Sequence, residues 1–254
     1  MSAKVGVGMN IKMIGSGSIM SVKNSPSYLV DDCILVDVPN GTNKAIKRLK
    51  YDITNLKAIL ITHFHADHFF DLPFILLNLY INTNEERKNK LYIVCNENEK
   101  HKIKEIIELS SFKSYDEFVR KLNIEIVGIS DGIVLNNILD KYEVEVVEVK
   151  HSSPAFGYVI IDKINNQKVG FTGDAILCEA VEHIVKKSDI SFCDTSEITG
   201  NQDSHMGIDN INFLLKKYNK KIVTTHLREE VRKKIIDLKN KNYMLGEDGE
   251  EFNI

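Results

Sequence analysis

The spacing of apolar and polar positions predicts most elements of this chain before any side-chain chemistry is considered. Short apolar runs bounded by turn residues read as strands at Ile11–Ile14, Ser27–Val30, Cys33–Val36, Ala58–Ile61, Leu91–Cys95, Ile124–Val127, Val169–Gly173, Ile190–Cys193 and Lys221–Thr225. Tyr142–Val149 alternates strictly, which marks a strand with one buried and one wet face. Asp31-Asp32 between two apolar runs is a hairpin turn. Apolar residues three and four apart predict helices over Asn98–Leu109 and Ser114–Leu122. Further helices are expected over Asn43–Lys50, behind the breaker cluster Val38–Thr42, and over Ile176–Lys187, Ile208–Tyr218 and Arg228–Lys239. His68–Tyr80 is apolar nearly throughout and reads as one helix packed under the loop before it, and Asn82–Lys90 is a polar loop. A short strand pair around Tyr243 and Phe252, turning at Glu247-Asp248-Gly249, ends the pattern.

Composition narrows the class. With 254 residues, 43% hydrophobic and 27% charged, the chain suits one layered domain spanning 1–254. No apolar run approaches the roughly 20 residues needed to cross a bilayer, so no membrane association is expected. The opening Met1–Asn10 lacks the long apolar core of a signal peptide, which points to a cytoplasmic protein. Cys33, Cys95, Cys178 and Cys193 are far apart and form no C-x-x-C pair, so they read as small core residues. The net charge of −3 offers no whole-protein attraction for a large nucleic acid.

Candidate chemistry begins at the end of the Ala58–Ile61 run, where Thr62-His63-Phe64-His65-Ala66-Asp67-His68 places three imidazoles and a carboxylate within six positions. Residues two apart on a chain leaving a strand point to the same side, so His63 and His65 converge, while a tight turn aims Asp67 and His68 at a neighbouring point. Imidazole nitrogen with carboxylate oxygen is a donor set for zinc, manganese or iron, and two such points suit two divalent cations. A pair of metals needs more donors. His151, Asp174 and His226 supply them, each directly after a predicted strand. His101 and His183 have no donor-like neighbours and read as surface or structural residues.

Taken in order, His63-x-His65-x-Asp67-His68, His151, Asp174 and His226 resemble the motifs of the metallo-β-lactamase superfamily, over nearly the whole chain from Ile11 on. The resemblance implies an α/β fold, a four-layer αββα sandwich. It implies that His63, His65 and His151 hold one metal, that Asp67, His68 and His226 hold the other, and that Asp174 bridges them. Asp37 would sit behind a metal ligand and orient it, or else be an ordinary turn carboxylate, because Pro39 and Asn40 replace the usual glycines. Asp71, where relatives commonly carry glycine, reads as a solvated helix-start aspartate, with a second-layer hydrogen-bond acceptor as the other reading.

The segment His151-x-x-Pro154-x-x-Gly157-Tyr158 is similar to the phosphodiesterase branch, which includes tRNA 3′-end endonucleases and anti-Pycsar-type cyclic nucleotide phosphodiesterases. The resemblance makes Asp194 and His205 a pair that protonates a leaving oxygen, although His205 could instead cap the following helix. Asp67 would orient a metal-bridging hydroxide as well as bind metal. Asp174 follows His151 after 23 residues, leaving no room for the protruding arm with which the tRNA endonucleases grip their substrate. The expectation is therefore hydrolysis of a small nucleotide, a cyclic mononucleotide foremost. The alternatives are tRNA 3′-end processing and β-lactam or thioester hydrolysis. The resemblance also implies a homodimer, to which the apolar stretch after His68 could contribute.

Overall fold

The computed structural model describes residues 8–201, 203–238 and 243–254. In chain order the strands are β1 (Asn10–Gly15), β2 (Ser27–Val30), β3 (Ile34–Val36), β4 (Ala58–Leu60), β5 (Leu91–Asn96), β6 (Ile124–Ile129), β7 (Val134–Leu135), β8 (Tyr142–Val149), β9 (Ala155–Asp162), β10 (Lys168–Phe171), β11 (Ile190–Asp194), β12 (Lys221–Thr225), β13 (Met244–Leu245) and β14 (Glu251–Asn253). The helices are α1 (Thr42–Leu49), α2 (Ala66–Phe69), α3 (Leu72–Asn82), α4 (His101–Ser110), α5 (Tyr115–Leu122), α6 (Glu179–Lys187), α7 (Ile208–Tyr218) and α8 (Glu229–Leu238).

Two mixed sheets face each other, one ordered β14-β1-β2-β3-β4-β5-β6 and the other β13-β12-β11-β10-β9-β8-β7. Alternating residues explain the layering. Val30, Ile34, Val36 and Leu60 from the first sheet meet Val144, Val146, Ile160 and Phe171 from the second in a shared apolar layer. Their neighbours Leu29, Leu35, Ile59 and Ile61 face the other way and pack under the side chains of α1 to α5. Val159, Cys193 and Ile222 likewise face α6, α7 and α8. The result is the expected four-layer αββα sandwich. Burying each such side chain contributes about 1.5–3 kcal/mol, which offsets the entropy of ordering the strands.

The second sheet is parallel over β10, β11, β12 and β13, and β8 runs with them because β9 lies antiparallel between β8 and β10. In the first sheet β3, β4, β5 and β6 are parallel. The carboxyl ends of β3, β4, β8, β10, β11 and β12 therefore open on one edge of the sandwich, where loops are free to carry chemistry. The Asp31-Asp32 turn has both residues at positive φ, 46° and 54°, as a tight hairpin connection requires.

Three expectations need correction. His68–Tyr80 is not one helix: α2 stops at Phe69 and α3 restarts at Leu72, with Pro73 in its first turn. Asp71, at that break, is neither solvated nor beside the candidate metal donors. It is 8% exposed and accepts a 2.6 Å hydrogen bond from the Asn43 N–H in the first turn of α1, where a carboxylate satisfies an unpaired donor. Thirdly, β13 and β14 do not pair with each other: β13 joins β12 and β14 joins β1, so the two strands close opposite sheets. In addition, α6 begins at Glu179 rather than Ile176, β7 was not foreseen, and the expected helix end Lys239 and the opening residues 1–7 lie outside the described residues. No helix among the described residues is long and apolar enough to cross a membrane.

The short turn between β9 and β10 is organised by Asp162, whose fully buried carboxylate accepts from Ile164 N at 2.8 Å, Asn165 Nδ2 at 3.1 Å and Lys141 Nζ at 3.1 Å. Burial pushes this carboxyl up, but these donors outweigh it and hold its pKa below the ordinary 3.8. A depressed folded-state pKa means that the stabilisation is present above the unfolded value and is lost as pH falls through the folded one. Asp162→Asn is therefore expected to cost about 1–3 kcal/mol near neutrality, with the gap to wild type shrinking below roughly pH 4. Urea midpoints across pH measure this, and a gap independent of pH would refute it.

Candidate metal centre

The loop after β4 is held from below by a buried aspartate. Asp37, at φ 56° just past β3, accepts from Thr62 N and Thr62 Oγ1, each at 2.8 Å, and from His68 Nδ1 at 2.8 Å. From the other sheet, Phe156 N–H donates to Thr62 O at 2.9 Å and Tyr158 Oη to Ile61 O at 2.7 Å. This explains the Gly157-Tyr158 pair in the sequence. The tyrosine reaches across the sandwich, while a Cβ at Gly157 would lie 2.8 Å from Phe171 O. Gly173, at φ 60°, is likewise required, since a side chain there would meet Thr62 at 3.0 Å.

On this base the structure brings all seven predicted donors together. His63 Nε2 and His151 Nε2 lie 3.0 and 3.3 Å from His65 Nδ1. His226 Nε2 lies 3.4 Å from Asp67 Oδ2, and His68 Nε2 lies 3.9 Å from it. Asp174 Oδ2 sits between the two groups, 3.3 Å from His68 Nε2, 3.4 Å from His226 Nε2 and 3.9 Å from His63 Nε2. His63–His65–His151 and Asp67–His68–His226 each satisfy the spacing for one shared cation.

Hydrogen bonding fixes which ring nitrogens face the cluster. Thr62 Oγ1 donates to Asp37, so at 3.1 Å it accepts from His63 Nδ1. His68 Nδ1 donates to Asp37, and His151 Nδ1 donates to Ser204 O at 2.9 Å. Ser196 Oγ donates to Asp194 Oδ1 at 2.7 Å and so accepts from His226 Nδ1 at 2.5 Å. In each of these four rings Nδ1 is thereby engaged and Nε2 is turned inward. His63 Nε2 and His151 Nε2 both face His65 Nδ1, at 3.0 and 3.3 Å, and His68 Nε2 is buried without a hydrogen-bond partner. Both facts fit a pair of cations held among these atoms.

The charges point the same way. Burial, followed by the neighbouring imidazoles, holds His63 well below its ordinary pKa, and His65 is lowered for the same reasons, so both are neutral donors at pH 7. Burial alone would lower His68 too, but Asp174 and Asp37 outweigh it and raise it. Burial would raise Asp174, but His226 and His68 hold it well below the carboxylate range. The centre of the cluster thus calls for positive charge.

His205 stands beside the cluster, its Nδ1 2.8 Å from Asp194 Oδ2 and its ring stacked on His226 at 5.1 Å. Asp194 is fixed in turn by Ala175 N–H at 3.2 Å and Ser196 N–H at 3.1 Å. Burial disfavours charge on His205, but the bond to Asp194 outweighs it and raises the pKa to about 9. His205 is not a helix cap, since α7 starts behind Gly207. His101 is exposed and His183 pairs with Glu145 at 2.9 Å, both away from the cluster. Thr62, Ser196 and the Ser204 carbonyl were not singled out in the sequence; serine and threonine are too common at strand ends to signal an orienting role.

Asp37→Asn removes the charge that faces His68 Nδ1 and is expected to weaken metal affinity about 10–100-fold. Competition with a chromogenic chelator measures this, and unaltered affinity would restrict Asp37 to shaping the backbone.

A family model described as anti-Pycsar protein Apyc1 matches residues 9–249. Among curated relatives, ribonuclease Z of Pyrococcus abyssi is 31% identical over 163 residues, which cover 61% of this chain and 48% of that protein. Ribonuclease Z of Methanosarcina acetivorans is 28% identical over 159 residues, with 61% and 48% covered. The chain thus spans about half the length of these curated relatives. The metallo-β-lactamase fold protein YhfI from Bacillus subtilis superposes with a TM-score of 0.75 at 14% identity, covering 98% of this chain and 100% of that one. Human tRNase Z, short form, gives 0.75 at 17% identity, with 96% and 99% covered. A diphosphatase of the PhnP family gives 0.73 at 17%, with 97% and 98% covered. Such identities speak for the fold alone, which is that of the metallo-β-lactamases. The family match, which runs from before β1 to the turn ahead of β14, carries more: the chain belongs to the anti-Pycsar Apyc1 family.

Proposed function

We propose that this chain is a metal-dependent phosphodiester hydrolase acting on a small nucleotide, a cyclic mononucleotide foremost. The observation that carries the reading is His205 on Asp194 at 2.8 Å, next to seven converging metal donors. His63, His65 and His151 would hold one divalent ion, Asp67, His68 and His226 the other, and Asp174 would reach both. A bound pair of this kind supplies Lewis acidity and brings the pKa of water toward neutrality; zinc fits the donors, as do manganese and iron. Asp67 would orient the attacking oxygen as well as bind metal. His205, with Nδ1 donated to Asp194, presents its protonated Nε2 to the departing oxygen, and the charge of Asp194 keeps that proton available at pH 7.

The curated ribonuclease Z relatives favour a second reading, tRNA 3′-end processing. Against it stands the tight connection between β9 and β10, in which Asn166 N–H returns to Asp162 O at 2.7 Å. Acyl hydrolysis of a β-lactam or thioester gives His205 and Asp194 no task.

Protein loaded with manganese or zinc is expected to turn over cyclic mononucleotides and bis-p-nitrophenyl phosphate, and to spare precursor tRNA and nitrocefin. His205→Ala should lower kcat by about 10²–10⁴ with metal content retained, while Asp67→Ala should lose both turnover and metal. Cleavage of tRNA alone, or of nitrocefin alone, would overturn this reading.

A homodimer belongs to the same proposal. An apolar groove of about 540 Å³ lies between α3 and α4, and Phe70, Phe74 and Leu109 along it are 51%, 45% and 84% exposed. Exposed apolar surface of this kind marks a contact face. Phe74→Asp combined with Leu109→Asp is expected to convert dimer to monomer in light scattering with the circular dichroism retained; a wild-type monomer would contradict it.

A further inference from the structure

The segment between β1 and β2 has a feature that metal chemistry leaves unused. Gly17 pairs in parallel with Leu227, Ser18 N–H donates to Leu227 O at 3.1 Å, and Leu227 N–H returns to Ser16 O at 3.1 Å. Ser21 Oγ donates to Glu229 at 2.6 Å and Val22 N–H to the same carboxylate at 3.3 Å. The segment is therefore pinned along the stretch that follows His226, as a fixed rim and not a loose flap. Its tip is a turn closed by Ser21 N–H to Ser18 O at 2.9 Å. The corner of that turn carries Ile19 and Met20, 62% and 83% exposed, where glycine, asparagine, aspartate or serine is the usual choice.

Those two side chains border a cavity of about 360 Å³ that also touches His205, His226, Arg228 and Glu230. The volume lies within the roughly 300–1,000 Å³ of small-molecule sites. Charge decides what fits. Arg228 is already paired with Glu197 at 2.9 Å and Glu229 is engaged by Ser21, which leaves Glu230 as an exposed carboxylate on the rim. A phosphate at this outer end would be repelled, whereas an uncharged group with N–H donors and a flat apolar face would be accommodated. A methionine thioether and a branched aliphatic side chain pack well on such a face.

We infer that this cavity receives the nucleoside of the substrate, its base against Ile19 and Met20 and its phosphate turned inward toward His205 and His226. The inference rests on the phosphodiesterase reading above and adds a specificity determinant to it. A longer strand continuing outward past the base would bring its next phosphate against Glu230, so the same surface selects against polynucleotides.

Calorimetric titration of metal-loaded protein with a nucleoside 5′-monophosphate and, separately, with inorganic phosphate tests this without turnover. The wild type is expected to bind the nucleotide at least about tenfold more tightly than phosphate. In Ile19→Ser combined with Met20→Ser that ratio should fall about tenfold. Val22→Ser, at a residue 92% exposed on the same segment but outside the cavity lining, should leave the ratio as in the wild type. A wild-type ratio near one, an unchanged ratio in the double variant, or an equal fall in Val22→Ser would overturn the inference. The two proposals separate cleanly. A nucleotide preference in protein that cleaves no phosphodiester upholds the cavity and sinks the activity, and cleavage with a ratio near one does the reverse.

Discussion

The loop that carries the candidate metal donors hangs on the buried carboxylate of Asp37. A charge in an apolar interior is tolerated only when donors surround it, and Asp37 has three: the Thr62 amide, the Thr62 hydroxyl and the His68 ring. Meeting them forces Asp37 into the left-handed region and draws the loop after β4 back over β3. That position lets the second sheet reach the same loop through Phe156 and Tyr158. The hydrogen bonds that satisfy one acid therefore also lock the two halves of the sandwich at the height where histidines from both can meet. His226, from the other sheet, also sits at φ 56°. Holding two non-glycine residues in this sparsely populated conformation costs energy that the sheets around them must supply.

Much of this was legible in the chain. The residues of the cluster could be picked out because they follow predicted strands, and a strand end fixes a side chain's origin more firmly than an isolated loop does. The alternation in β8 and the Asp31-Asp32 turn were readable for similarly local reasons. What escaped was set by contacts distant in sequence. The break between α2 and α3 depends on Asp71 being engaged by α1, a partner 28 residues away. The separate destinations of β13 and β14 depend on which exposed edge each one meets, and a short strand carries no mark of its partner. Ser196 matters only because the fold sets it between Asp194 and His226.

The same architecture divides labour among chemically similar rings. Burial, and then the neighbouring imidazoles, hold His63 and His65 below the ordinary imidazole pKa, whereas Asp194, 2.8 Å from its Nδ1, raises His205 to about 9. Five of the imidazoles line the cluster and one stands beside it on a carboxylate, so similar rings are set apart by their neighbours and not by residue type. The outer cavity continues the gradient. Its inner end reaches His205 and His226, and its rim carries Glu230 beside Ile19 and Met20.

The pairing of β1 with β14 joins Asn10 to Asn253, nearly the full sequence apart. A chain emerging from the ribosome must hold the edge of its first sheet open until that distant partner has been made. Contacts of such separation slow the search for the native state and leave an unpaired strand exposed meanwhile. Production in a host rich in chaperones, or at low temperature where elongation is slow and apolar association is weak, suits a topology closed in this way.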